Sequence, residues 1–251
     1  MPSARVEALS WDNVDREIKA GALPILPVGA ASKEHGFHLP MNTDWLQAEW
    51  LAREAMKLTH ALIWPTVNYG YYPAFLEYAG SCSVARQTFK AFMAELVDSI
   101  LHTGAPKVFL INTGVSTIAP LDELARSPSY KDGLFLFHCA LGPEYGNVSK
   151  TLAVQPFGGT HADELETSLM LHIAPGVVNM SAAVASPNAA PMQPGPLRAK
   201  DMRHPNYSPS GVCGDPTLAS AEKGSKLAQA RRKDLQDAMT ACLVSRGDNA
   251  G

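Results

Sequence analysis

Neither sign of charge dominates this chain: 21 Lys and Arg stand against 24 Asp and Glu, a formal net charge of −3. A nucleic-acid-binding domain normally shows a basic stripe. The densest basic cluster here is Arg231, Arg232 and Lys233, which reads as the solvated face of a helix. No nucleic-acid partner is expected. Long apolar runs are missing too: none approaches the roughly 18 residues of a membrane span. The first residues lack the apolar core of a secretion signal, and Asp12, Asp15 and Glu17 follow closely. Cysteine is scarce. Cys82, Cys139, Cys213 and Cys242 show no C-x-x-C spacing, which argues for buried thiols in a reducing compartment rather than a disulfide framework or zinc ribbon. The expected location is the cytoplasm, with no membrane partner. The G-x-S-x-G elbow, the G-x-x-x-x-G-K-[ST] phosphate loop and the H-E-x-x-H zinc motif are all absent.

What is present is an alternation of short apolar runs with amphipathic stretches. A chain of 251 residues, 46% hydrophobic, is long enough to bury a sizeable core. Apolar runs at 23–28, 61–67, 107–111 and 133–138 read as buried strands. Helices are expected at 11–20, 44–58, 87–102, 161–174 and about 216–245. The clearest is 87–102, where Phe89, Phe92, Met93, Leu96, Val97, Ile100 and Leu101 keep helical spacing until Gly104. Residues 186–216 are rich in Pro, Gly, Ser and Asn and read as a loop-rich excursion. The expected architecture is α/β, one domain over 1–251, with a mostly parallel sheet covered on both faces. In such sheets chemistry sits in loops leaving the carboxyl ends of strands, here 29–42, 68–80 and 112–117.

The first of these loops runs into a helix through Lys33, Glu34, His35, Gly36, Phe37, His38, Leu39, Pro40, Met41, Asn42, Thr43 and Asp44. Two His and two carboxylates within twelve residues suit zinc, manganese or iron, because imidazole and carboxylate match borderline divalent ions. The same cluster also fits hydrogen-bonded scaffolding. His38 reads more naturally as a loop-fixing residue than as a ligand, and Glu34 is free to turn outward into solvent. A second polar segment, 158–168, gathers His161, Asp163, Glu164 and Glu166 at a helix start, where acids also complement the helix dipole. Tyr69, Tyr71 and Tyr72 are candidates for lining a pocket or a subunit contact. Trp45 and Trp50 read as packing residues.

Taken in order, these segments resemble the creatininase (creatinine amidohydrolase) family. Its pattern P-V-G-[ST]-x-E-Q-H-G-x-H-[LM]-P-x-x-x-D is met by Pro27, Val28 and Gly29, then His35, Gly36, His38, Leu39, Pro40 and Asp44. Pro65 with Tyr69 and Gly70, Ala79-Gly80-Ser81, His161 with Glu166-Thr167-Ser168, and Ser210-Gly211-Val212-Cys213-Gly214-Asp215-Pro216 with Ala221-Glu222-Lys223-Gly224 follow in register. The resemblance implies a three-layer αβα fold, a homo-oligomer (often a hexamer), and hydrolysis of small cyclic amides with two divalent metals. It also implies a bridging aspartate, here Asp44, a metal histidine, here His35, and attack by a metal-bound water.

The departures from that pattern cluster on the metal-binding positions of two loops. Lys33 stands where the family has a metal-binding glutamate. In the loop 112–117, matching the family's N-G-H-x-x-N, Gly114 replaces the metal histidine and Ser116 the glutamate two residues on. The expectation is therefore one metal per chain (zinc, manganese or iron) held by His35, Asp44 and Glu166, with Lys33 supplying the charge of the other. His161 is expected to move protons, with Tyr69, Tyr71 and Ser116 as substrate contacts and Glu166 shared between catalysis and metal. The substrate is expected to be a small, polar cyclic amide. A metal-free enzyme using Lys33, and a silent ligand-binding or assembly subunit, are the alternatives.

Overall fold

Alternating side chains of one strand show how the layers form. The computed structural model describes residues 3–155, 159–187 and 192–245. In β2 (Leu23–Val28), Ile25 packs with Trp50 and Leu51 of α2 (Thr43–Leu58) and with Leu227 and Leu235 of α7 (Ala221–Val244). Leu26 and Val28 face the other way, toward Phe89, Met93 and Val97 of α3 (Arg86–His102) and Leu121 of α4 (Ile118–Ala125). β4 (Val108–Asn112) repeats the division, with Phe109 and Ile111 on the first side and Val108 and Leu110 on the second. A strand buried on both faces reads as a continuous apolar run, which is why these two strands were legible.

The sheet is parallel, ordered β1-β3-β2-β4-β5, with β1 at Ala4–Arg5, β3 at Ala61–Ile63 and β5 at Leu134–His138. α1 (Trp11–Lys19), α5 (Pro143–Leu152) and α6 (Glu164–Ile173) are the remaining α-helices among the described residues. The three-layer αβα expectation is met. Among the described residues no helix is long and apolar enough to cross a membrane.

Several boundaries differ from expectation for local reasons. The strand expected over 61–67 ends at Ile63, because Pro65 has no N–H for the ladder; pairing returns only as a Val28–Val67 bridge. The helix expected from His161 starts at Glu164. Asp163 caps it, accepting from the N–H groups of Leu165 and Glu166, and His161 instead pairs with Cys213. The last helix starts at Ala221 rather than 216, with Ser220 as its cap. Gly158 of the second polar segment and residues 188–191 of the expected excursion lie outside the described residues. Arg231 corrects the reading of its cluster: it is 5% exposed, donates to Gln47 Oε1 at 2.5 Å and lies 4.3 Å from the Tyr145 ring.

Candidate functional site

The loop after β2 folds back so that Lys33, His35 and Asp44 meet above the carboxyl end of the sheet. Asp44 lies in the first turn of α2, where the helix dipole favours an anion. The Thr113 hydroxyl ties this turn to the sheet, donating to the Asp44 carbonyl at 2.9 Å. The Lys33 ammonium lies 2.6 Å from Asp44 Oδ2, a buried ion pair not aligned as a hydrogen bond. Phe75 and Tyr72 wall the same ammonium, their ring centres 4.8 and 5.8 Å away. Burial alone would raise the Asp44 carboxyl, but Lys33 and His35 hold it well below the usual carboxylate range.

His35 is fully buried, and its partners constrain its protons. Nδ1 is 2.9 Å from the Lys33 carbonyl, which only accepts, so Nδ1 carries hydrogen. Nε2 then faces Asp44 Oδ1 at 3.1 Å and Glu166 Oε1 at 4.0 Å. Both of these are acceptors as well. Either a second proton or a cation must sit between them.

His161 repeats the arrangement from the other side. Nε2 lies 2.9 Å from the Glu34 carbonyl and 3.1 Å from Glu34 Oε2, leaving Nδ1 toward Glu166 Oε2 at 3.9 Å. Burial lowers the proton affinity of His161, but the Glu34 carboxylate outweighs it and the pKa is raised. Glu166 is fixed by the Gln47 amide at 2.9 Å and the Ala162 N–H at 2.8 Å. To aim that N–H, Ala162 adopts φ 49°, a conformation disfavoured for a residue with a side chain. Burial pushes Glu166 upward, while His35 and His161 pull it below its ordinary value.

The resulting group is His35, His161 and Glu166, whose donor atoms all lie within 4.8 Å of one another. Two nitrogens and a carboxylate, each held from behind by a hydrogen bond, match the chemistry of a zinc, manganese or iron site. The residues present fit a single cation. Asp44 is beside this group rather than in it, engaged by Lys33.

Other expected residues fall elsewhere. Tyr69 is 55% exposed, in a groove with Trp64 and Phe92, and Tyr71 packs against the cluster containing Phe89. The tyrosine at the site is Tyr72, whose hydroxyl is buried with no partner. Ser116 is half-buried in the 112–117 loop. Glu34 does not turn outward; it is 5% exposed and bound to His161. His38 bonds the Thr167 hydroxyl at 2.8 Å, and burial pushes its pKa down to about 4.

Comparisons with known proteins converge. The family model described as creatininase, creatinine amidohydrolase, matches residues 7–239. A mycofactocin precursor peptide peptidase of Mycobacterium tuberculosis is 27% identical over 218 residues, covering 81% of this chain and 78% of the relative. A creatinine amidohydrolase of Pseudomonas putida is 25% identical over 256 residues, covering 94% and 96%. A solved structure of a creatininase with manganese superposes with a TM-score of 0.78 over 95% of this chain and 98% of that one. At 23% identity that likeness speaks for the fold alone.

Proposed function

The chain belongs to the creatininase (creatinine amidohydrolase) family and is a hydrolase of that type, and on that premise we propose a single-metal amidohydrolase. Its substrate is a small polar, cyclic amide or a related C–N bond. His35, His161 and Glu166 hold one divalent cation, and the Lys33 ammonium stands in for a second. This exchanges two expected roles, making His161 the third donor and Asp44 the partner of Lys33. The observation that carries the reading is His35, whose Nε2 confronts two carboxylates with no acceptor-free direction among its described partners.

Bound there, zinc, manganese or iron would polarise a carbonyl and lower the pKa of water toward about 7. The chain's own groups do the rest. Gln47 and Ala162 keep the two oxygens of Glu166 aimed at the imidazoles. Lys33 keeps Asp44 ionised and offers an ammonium proton to oxygen charge developing on the substrate. Asp44, held as a carboxylate, accepts a hydrogen bond from the attacking water, whose proton ends on the nitrogen of the broken C–N bond. Phe75 and Tyr72 keep water off the ammonium side. A homo-oligomer, up to a hexamer, and a cytoplasmic location belong to the same proposal.

Elemental analysis of protein purified without chelator tests it. About one equivalent of zinc, manganese or iron per chain is expected, lost in His35→Ala. No metal after each ion is added back would sink the donor assignment. The Lys33–Asp44 pair supports a second reading, in which doubly protonated His35 bridges Asp44 and Glu166 and Lys33 is the electrophile. That reading requires activity in metal-free protein.

A further inference from the structure

Glu34 takes no part in the chemistry above, yet its surroundings are built around its carboxylate. Oε1 accepts a short hydrogen bond from the Gly36 N–H, and Oε2 faces His161 Nε2 at 3.1 Å. The Glu34 N–H is held by the Ser81 hydroxyl at 3.0 Å. Across from it Gly211 sits at φ 86°, and a Cβ there would fall inside the Glu34 carboxylate. The socket exists because residue 211 has no side chain.

We propose that Glu34 is a positioning residue that turns His161 into the third metal donor. The inference rests on the proposed metal site and deepens it. A neutral imidazole has two tautomers, and only the one protonated at Nε2 leaves Nδ1 free to face Glu166. The Glu34 carbonyl and carboxylate both accept at Nε2 and so select that tautomer. A carboxylate behind a ligating imidazole also makes the opposite nitrogen a stronger donor. An amide cannot replace it. Both oxygens of Glu34 accept from N–H groups, whereas glutamine would turn its NH₂ toward one of them.

The test compares zinc affinity of wild type and Glu34→Gln by competition with a chelating dye, alongside thermal melts of the metal-free proteins. Glu34→Gln is expected to melt cooperatively and bind zinc roughly 10–100-fold more weakly, the usual effect of removing such an outer partner. Equal zinc affinity would overturn the proposal. Should Glu34→Gln not fold, Glu34→Ala carries the comparison: it removes the carboxylate without adding a donor, and zinc binding equal to wild type again overturns the role. Wild type that binds no zinc would overturn the metal reading instead. Nitrogen-15 NMR of the metal-free proteins in alkaline buffer then decides on Glu34 alone. A His161 ring protonated at Nε2 in wild type and mixed in Glu34→Gln supports positioning; the same tautomer in both rules it out.

Discussion

Lys33 and Asp44 are 6% and 2% exposed, so each is the other's main compensation for lost water. Removing one partner of such a pair typically destabilises by about 3–5 kcal/mol, because the remaining charge stays buried. Lys33→Met is therefore expected to lose turnover and about 3 kcal/mol of stability in urea unfolding of metal-free protein at pH 7. Unchanged stability would mean that Asp44 is compensated by something else. At this scale the sequence was informative where residues are contiguous: Lys33, His35 and Asp44 were readable because one loop carries them after a buried strand. Glu34 was not, since an irregular loop has no period to tell inward from outward. Arg231 was hidden within a charged triplet, although a signal existed. Leu227, Arg231 and Leu235 recur every four residues, placing the arginine on the apolar face of its helix.

At the scale of elements, α6 carries Glu166 and is held by α7. The two helices approach so closely at Gly224 that a methyl group there would overlap the Ser168 carbonyl. Gly224→Ala gains about 1 kcal/mol of helix propensity, but overpacking costs about 1–3 kcal/mol or more when backbone must move. The expected balance is a lower melting temperature by several degrees, with weaker metal uptake as α6 shifts. A raised melting temperature would show that the helices separate freely. The elements that escaped sequence reading are short. α4 spans eight residues and contains Pro120, and α5 contains Gly146 and polar neighbours, so neither shows enough turns of apolar periodicity to register. Long two-faced strands and the 17-residue α3 left a clear imprint.

For the whole molecule, buried titratable groups set a pH window. Glu34, Asp44 and Glu166 are held below their ordinary values, so the stability they contribute is present above the unfolded range near 4 and is lost as pH falls through their lower folded values. His38, pushed down to about 4, is neutral in the fold, and its contribution is lost as pH falls from about 6.5 toward 4. His161 has the opposite sign: its raised pKa contributes below the unfolded value and is lost as pH rises through the folded one. Melting temperatures of chelator-treated protein from pH 4 to 9 should peak near neutrality and fall more steeply on the acid side. A flat or rising profile toward pH 4 would contradict the buried ion pairs.

The proposed donors come from distant parts of the chain: Glu34, next to His35, and His161 are separated by 127 positions. Closing so long a span is entropically unfavourable, and the packed sheet and helices must compensate for it. On the proposed reading, a cation joining His35 to His161 and Glu166 would act as a removable staple of the folded chain alone, because its donors converge only there and the unfolded chain would not hold it. The melting temperature of the metal-loaded protein is then expected to climb with free metal concentration, as for any ligand held by the folded state alone.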